Sequence, residues 1–174
     1  MHIRFASPDL RSLDRLSCEA LALPLFSDER PLSGVLGLVD WRMCGLISRS
    51  VRDGRVRGAL DERALVPGRP KLAMDKVLLF GLGPSDEFGP GHLRGAVARM
   101  LEALAGVRVR SAAVVLPGRA LGTIDAATAI DALIGSEVAA EVRDELIVLE
   151  PPEAQRLMEP VIERERRRAR ARGE

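Results

Sequence analysis

The stretch Lys76-Val77-Leu78-Leu79-Phe80-Gly81-Leu82-Gly83-Pro84 decides the fold of this chain. It opens with a short, almost wholly apolar run, which is typical of a strand that is covered on both faces. The run ends at a Gly-X-Gly-Pro turn, and a helical pattern begins near Pro90 or Gly91 and stops at Gly106. A strand that leads through a tight turn into a helix predicts an α/β domain.

Segments with strand and helix patterns alternate on both sides of this stretch. Strands are predicted at residues 2–6, 18–26, 62–66, 76–80, 107–116 and 145–149. Helices are predicted to begin at Ser7-Pro8, at Leu32, near Pro90, at Thr123 or Asp125, and at Pro151-Pro152. This alternation predicts a three-layer α/β/α sandwich with a mixed, largely parallel sheet. We expect residues 1–162 to form one domain and residues 163–174 to form an Arg-rich helix tip or tail.

Five residues refine this prediction. Gly45, together with the Asp40-Trp41 pair, is expected to break the helical pattern of residues 32–47 into two helices. Trp41 is expected to be a core or edge packing residue. Pro24 lacks an amide hydrogen, so strand pairing should weaken there. Pro160 should kink or restart the last helix.

Composition excludes several classes of function. Among 174 residues, 47% are hydrophobic and 29% are charged, as in a globular protein, and the formal net charge of +1 gives no overall attraction to nucleic acid or membrane. No apolar run reaches the roughly 18 residues of a membrane span. Asp9 and Asp14 argue against a signal peptide, so we expect a cytoplasmic protein. Cys18 and Cys44 are expected to be buried free thiols.

Three segments carry a resemblance to a known family. They are the apolar run Ala20–Phe26, the run Leu38-Val39-Asp40-Trp41-Arg42 continuing through Gly45–Arg49 to Arg57-Gly58, and the Lys76–Pro84 stretch. In this order they resemble the N-terminal domain of the leucyl aminopeptidase (cytosol aminopeptidase) family over roughly residues 15–140. The resemblance implies a fold similar to macro domains.

The resemblance also implies what the chain does not do. In this family the N-terminal domain precedes a separate catalytic domain with two metal ions, contributes to hexamer architecture and, in some members, binds DNA. The family's metal signature, Asn-Thr-Asp-Ala-Glu-Gly-Arg, cannot occur in a chain without Asn, and Thr123-Ile124-Asp125-Ala126 does not replace it. We therefore expect no catalytic residue, metal or cofactor here, although the family name alone would suggest a metallo-aminopeptidase.

The turn after the 76–80 strand is one candidate ligand site, through Gly81, Gly83 and Ser85. Ligands of open α/β sheets tend to bind where strands end and helices begin, and amides there can meet phosphate. The resemblance to macro domains, which bind ADP-ribose in this region, implies a nucleotide or an ADP-ribose-like molecule. Asp86 and Glu87 would repel phosphate, however, and a purely structural turn is the alternative.

Two further features offer candidate sites. His92 lies in the first turn of a predicted helix, where a surface or capping role is expected because no catalytic partner is evident. The C-terminal cluster could grip nucleic acid through its phosphates. Its members are Arg164, Arg166, Arg167, Arg168, Arg170 and Arg172. No aromatic residues are interleaved with them for base stacking, so a solvated or partner-facing helix is the alternative.

These observations favour a non-catalytic assembly or interaction module. We expect it to associate with itself or with a protein partner, of which a full-length aminopeptidase is one candidate. Nucleotide binding at the Gly81–Ser85 turn and DNA binding through the Arg cluster are the alternatives, and no membrane partner is expected.

Overall fold

A computed structural model describes residues 2–141 and 144–172, except the side chains of residues 140, 141, 169 and 172. The strands are β1 (His2–Ala6), β2 (Ala20–Leu25), β3 (Arg63–Pro67), β4 (Lys76–Gly81), β5 (Ser111–Val114) and β6 (Glu145–Leu149). The helices are α1 (Leu10–Arg15), α2 (Gly34–Arg42), α3 (Leu46–Arg52), α4 (Pro90–Gly106), α5 (Ala126–Ile134) and α6 (Pro152–Arg172).

The six strands form one sheet in the order β1-β6-β5-β2-β4-β3. All neighbouring strands are parallel except β3, which runs antiparallel to β4 at one edge. The predicted mixed, largely parallel sheet is therefore confirmed. The stretch that decides the fold forms β4, next to the edge strand, while β2 lies at the centre. The pairing of β2 with β5 ends at Ala22, two residues before Pro24, whereas its pairing with β4 continues to Leu25.

The sheet separates two hydrophobic cores because alternate strand residues point to opposite faces. One core packs α4, α5 and α6 against strand residues that include Ala22, Leu78 and Val148. The other packs α1, α2 and α3 against residues that include Leu23, Leu79 and Ile147. Consecutive residues of β2 and β4 thus belong to different cores, which explains their uninterrupted apolar sequence. The predicted three-layer α/β/α sandwich is confirmed.

Local capping corrects some predicted boundaries. Asp9, rather than Ser7, caps α1 by accepting a hydrogen bond from the Ser12 amide. Asp125, rather than Thr123, caps α5 in the same way. The split between α2 and α3 falls at Gly45, as predicted. The last helix does not restart at Pro160, one of the two predicted alternatives, but continues to Arg172. The domain boundary expected between residues 162 and 163 stays a prediction.

The end of β4 depends on a close backbone approach at Gly81. A Cβ atom at this position would overlap the carbonyl oxygen of Ala59 and lie 2.7 Å from the carbonyl carbon of Gly58. The Gly81 amide donates to the Glu62 carbonyl at 2.7 Å. The absence of a side chain therefore lets the segment before β3 lie directly against the end of β4.

We predict that Gly81→Ala lowers the free energy of unfolding by about 3 kcal/mol or more, because two backbone segments must separate to admit the methyl group. Urea denaturation followed by circular dichroism measures the change. Gly91→Ala is the matched control, since a Cβ atom there meets nothing within 4 Å. Equal stability of the two variants would show that the close approach at Gly81 does not constrain the fold.

Candidate functional site

The amides of the Gly81–Ser85 turn already donate to the protein itself. The Gly81, Leu82 and Gly83 amides donate to the carbonyls of Glu62, Leu25 and Gly58, at 2.7, 3.0 and 2.9 Å. Pro84 has no amide hydrogen. Gly83 has φ +77°, a left-handed conformation that suits glycine. These amides hold three chain segments together, so a phosphate would find no free donor among them.

Ser85 completes this arrangement through Asp28. Its amide and its hydroxyl donate to the two carboxylate oxygens of Asp28 at 2.9 and 2.6 Å. The hydroxyl and then the amide of Ser85 lower the pKa of Asp28 below its ordinary value. The carboxylate of Asp28, from the protein itself, thus occupies the position that an anionic ligand would need. Ligand binding through Gly81, Gly83 and Ser85 stays a prediction, and this geometry favours the structural alternative.

The capping role predicted for His92 is present. Its Nδ1 atom accepts a hydrogen bond from the Gly89 amide at 3.3 Å, at the start of α4. The ring also lies 6.2 Å, between centroids, from the ring of Phe88. His92 therefore helps to begin a helix, and the contacts it makes are not those of a catalytic base.

The Arg cluster occupies the C-terminal part of α6. Arg166 and Arg168 form ion pairs with Glu163 and Glu165, one helical turn earlier, at 3.0 and 2.6 Å. Arg167 and Arg170 are exposed and make no ion pair within the described part of the chain. Pairing reduces the local positive charge, and the DNA-binding alternative stays a prediction.

An open cleft of about 480 Å³ lies where β1, β5 and β6 end. Its apolar wall includes Val35 and Leu38 of α2, together with Val115 and Leu149 at the strand ends. Ligands of open α/β sheets bind in crevices outside the carboxyl ends of the strands. This cleft is a better candidate for a small ligand than the Gly81–Ser85 turn, which lies at the end of a different strand.

An ion pair between the half-buried Arg119 and the buried Glu150 borders this cleft. Arg119 donates Nε and Nη2 to the two oxygens of Glu150 at 2.8 and 3.0 Å, and Nη1 to the Ile124 carbonyl at 2.7 Å. The hydrogen bonds to Glu150 raise the pKa of Arg119, and only 4% of the Glu150 side chain is exposed. The pair was not identified from the sequence. The sequence did offer one signal, because two residues of opposite charge closely follow two predicted strands. Those two strands are neighbours in the sheet.

A larger groove of about 860 Å³ lies beside Trp41. Trp41 is 66% exposed, so the prediction that it packs in the core or at its edge is wrong. The buried residues of α2 are Val35, Leu36, Val39 and Asp40, and Trp41 lies off this stripe. The helical spacing of residues 32–47 had already left it outside the apolar series. The groove is also lined by Pro31, Leu32, Gly37, Pro70 and Lys71.

Asp40 lies at the bottom of the groove and holds α3 in place. One carboxylate oxygen accepts the amides of Ile47 and Ser48 at 2.8 and 3.0 Å, and the other accepts the Ser48 hydroxyl. Only 8% of the residue is exposed. With its acceptors occupied by the helix, Asp40 is a structural group within the groove.

The prediction that both cysteines are buried is wrong for Cys44. Cys44 is exposed in the groove, while Cys18 is partly buried and free. Burial raises the pKa of the Cys18 thiol to about 11. Within residues 2–141 and 144–172, no group of three or more His, Cys, Asp or Glu side chains could hold a metal ion. In the same part of the chain, no helix is long and apolar enough to cross a membrane.

Comparison with known proteins identifies the type of domain. Residues 22–143 match the family model described as the cytosol aminopeptidase family, N-terminal domain. The chain is also 28% identical over 116 residues to a protein of Thermosynechococcus vestitus named "Probable cytosol aminopeptidase". The match covers 66% of this chain but only 23% of that protein.

Solved structures agree on the fold. A tomato leucine aminopeptidase variant has a TM-score of 0.59 and 16% identity, over 91% of this chain and 35% of that one. A Trypanosoma brucei macrodomain in complex with ADP-ribose has a TM-score of 0.71 and 16% identity, over 92% of this chain and 69% of that one. At such identities the likeness concerns the fold, and the macro-domain-like fold is confirmed.

We predict that iodoacetamide at pH 8 alkylates Cys44 well before Cys18. A thiol with a pKa of about 11, against an ordinary 9.0, has a thiolate fraction about a hundredfold lower, and partial burial slows it further. Peptide mass spectrometry over time follows each site. In urea the two rates should converge, and faster modification of Cys18 in the folded protein would contradict the prediction.

Proposed function

The chain belongs to the family of cytosol aminopeptidase N-terminal domains, and on that premise we propose that it is a non-catalytic module that associates with another protein chain. The family match lies in the N-terminal domain, and the chain spans about a quarter of the length of the curated relative that it matches. The activity named for whole aminopeptidases therefore has no residues assigned to it here.

The observation that carries the proposal is the exposure of Trp41 at the edge of a large groove. Trp is among the residues that contribute most to protein–protein binding energy when it is buried in an interface. Because 66% of Trp41 is exposed, most of the apolar area of the indole is available to be buried by a partner. A small polar residue at this position of α2 would offer no such area.

The polar groups support the same proposal. Asp28, Asp40, Glu150 and His92 each hydrogen-bond to a neighbouring part of the fold. A catalytic site instead needs titratable groups directed toward a substrate position. These titratable side chains therefore hold loops and helix ends in place, while the apolar side chain of Trp41 remains available for contact.

We predict that light scattering detects association of the chain, either alone or mixed with a full-length cytosol aminopeptidase from the same source. Trp41→Ala should weaken this association because it removes the exposed indole. Leu157→Ala is the matched control, since Leu157 is 63% exposed on α6, in the opposite layer.

The opposite outcome is also defined. A photoreactive residue at position 41 should give a discrete cross-linked product in native lysate, whereas the same residue at position 157 should not. The proposed function would be overturned if the chain remains monomeric both alone and mixed with the aminopeptidase, and if it cross-links identically from both positions.

A second candidate function is the binding of a nucleotide-like ligand in the cleft beside the Arg119–Glu150 pair. The supporting observation is the position of this cleft at the carboxyl ends of three strands, in a chain whose structural relatives include a macrodomain in complex with ADP-ribose. Its wall of Val35, Leu38 and Leu149 suits an apolar ring face. Because Arg119 is already paired with Glu150, the ring rather than a phosphate would supply most of the contact.

We predict that ADP-ribose raises the melting temperature by about 5–10 °C at a hundred times its dissociation constant, as expected for a domain of this size. Ala120→Phe should abolish the shift, because Ala120 lines the cleft and is exposed. Leu121→Phe is the matched control, since its side chain is not part of the cleft lining. No shift with ADP-ribose or ADP, or a shift that survives Ala120→Phe, would exclude this function.

A further inference from the structure

We propose that the Trp41 groove binds a segment of a partner chain in which carboxylate side chains alternate with large apolar ones. This inference rests on the proposed function and names the chemistry of the partner. It follows from two properties of the groove, the apolar side chains among its lining residues and the charges around it.

The apolar lining would hold the apolar side chains of the segment. Trp41, Leu32 and the rings of Pro31 and Pro70 line the groove from three different parts of the chain. Pro31 and Pro70 are exposed, as is Trp41, so their surfaces are free to be covered. The indole presents a flat face at low conformational cost, since only two side-chain torsions must be fixed on binding.

The charges around the groove select carboxylates. Lys71 lines the groove, is exposed and makes no ion pair in the described part of the chain. Arg49 is exposed and donates to the backbone carbonyl of Cys44, which lines the groove, at 3.0 Å. A bond to a neutral carbonyl leaves the positive charge of this guanidinium uncompensated.

Two of the carboxylates nearby keep their charge, because they accept hydrogen bonds from neutral groups. Asp40 is buried, and the amides at the start of α3 stabilise its charge. Glu29 accepts from the amide and hydroxyl of Ser33 at 3.1 and 2.8 Å, and its charge offsets that of the neighbouring Arg30. Asp14 pairs with Arg42 through two bonds of 3.0 Å. The groove therefore combines an apolar lining with uncompensated cations at its edge, and an acidic, apolar segment is complementary to both.

Three labelled peptides test this complementarity. One alternates Glu with Leu and Phe, and a second has Lys in place of each Glu. We expect the acidic peptide to bind, measured by fluorescence anisotropy, and to change the emission of Trp41, which is the only Trp in the chain. The basic peptide should not bind, and a third peptide with Ala in place of Leu and Phe should bind much more weakly.

Variants locate the peptide. Lys71→Glu should weaken binding about three- to tenfold, the range for reversing one exposed charge, and raised salt should reduce the difference. Arg156→Glu is its control, because Arg156 is exposed on α6 in the opposite layer. Trp41→Ala should weaken binding about thirtyfold, as for a residue central to an interface, and Leu157→Ala should have no effect.

The outcomes separate this inference from the proposed function. Equal binding of the acidic and the basic peptide, or unchanged binding by Lys71→Glu, overturns the acidic chemistry. Association that depends on Trp41 in light scattering, without binding of the acidic peptide, also overturns it but leaves the proposed function standing. If the association is purely between copies of this chain, the occupant is a second copy and the inference is wrong.

Discussion

The backbone contact at Gly81 is the constraint on which the rest of the structure depends. Gly81 brings the end of β4 against the residues that precede β3, and the next two amides bond to the end of β2 and to the segment before β3. Three chain segments thereby meet where the sheet changes from parallel to antiparallel pairing. The Gly-X-Gly-Pro turn therefore joins parts of the fold, and its amides form hydrogen bonds within the protein.

The charged side chains also form hydrogen bonds and ion pairs within the protein. Carboxylates bond to helix starts and loop amides, as Asp28, Asp40 and Asp125 show. Arg119 and Glu150 are largely buried, but each satisfies the other, so neither charge stands uncompensated. A buried pair of this kind fixes the two loops that it joins. It offers little reactivity, because both groups would have to lose their partner before they could serve a substrate.

The sequence predicted those features that local patterns control. The apolar runs of β4 and β6, the stripe of α4 and the break at Gly45 could all be read from spacing and from glycine. Features that depend on tertiary packing could not. Trp41 lay off the apolar series, but its type suggested burial, and only the structure shows that no element among the described residues covers it. Likewise, Arg119 and Glu150 are 31 residues apart, and their pairing requires that β5 and β6 be neighbours.

The two binding proposals share a structural element, and this links them physically. One side of α2 contributes Gly34, Val35 and Leu38 to the cleft, and the other contributes Gly37 and Trp41 to the groove. The close packing of Gly37 against the Leu32 carbonyl fixes the start of this helix, since a Cβ atom would lie 2.7 Å from that oxygen. If a ligand in the cleft shifted α2, the residues that α2 contributes to the groove would move with it. Because such coupling between two sites is reciprocal, a segment bound beside Trp41 would change the affinity of the cleft by the same factor.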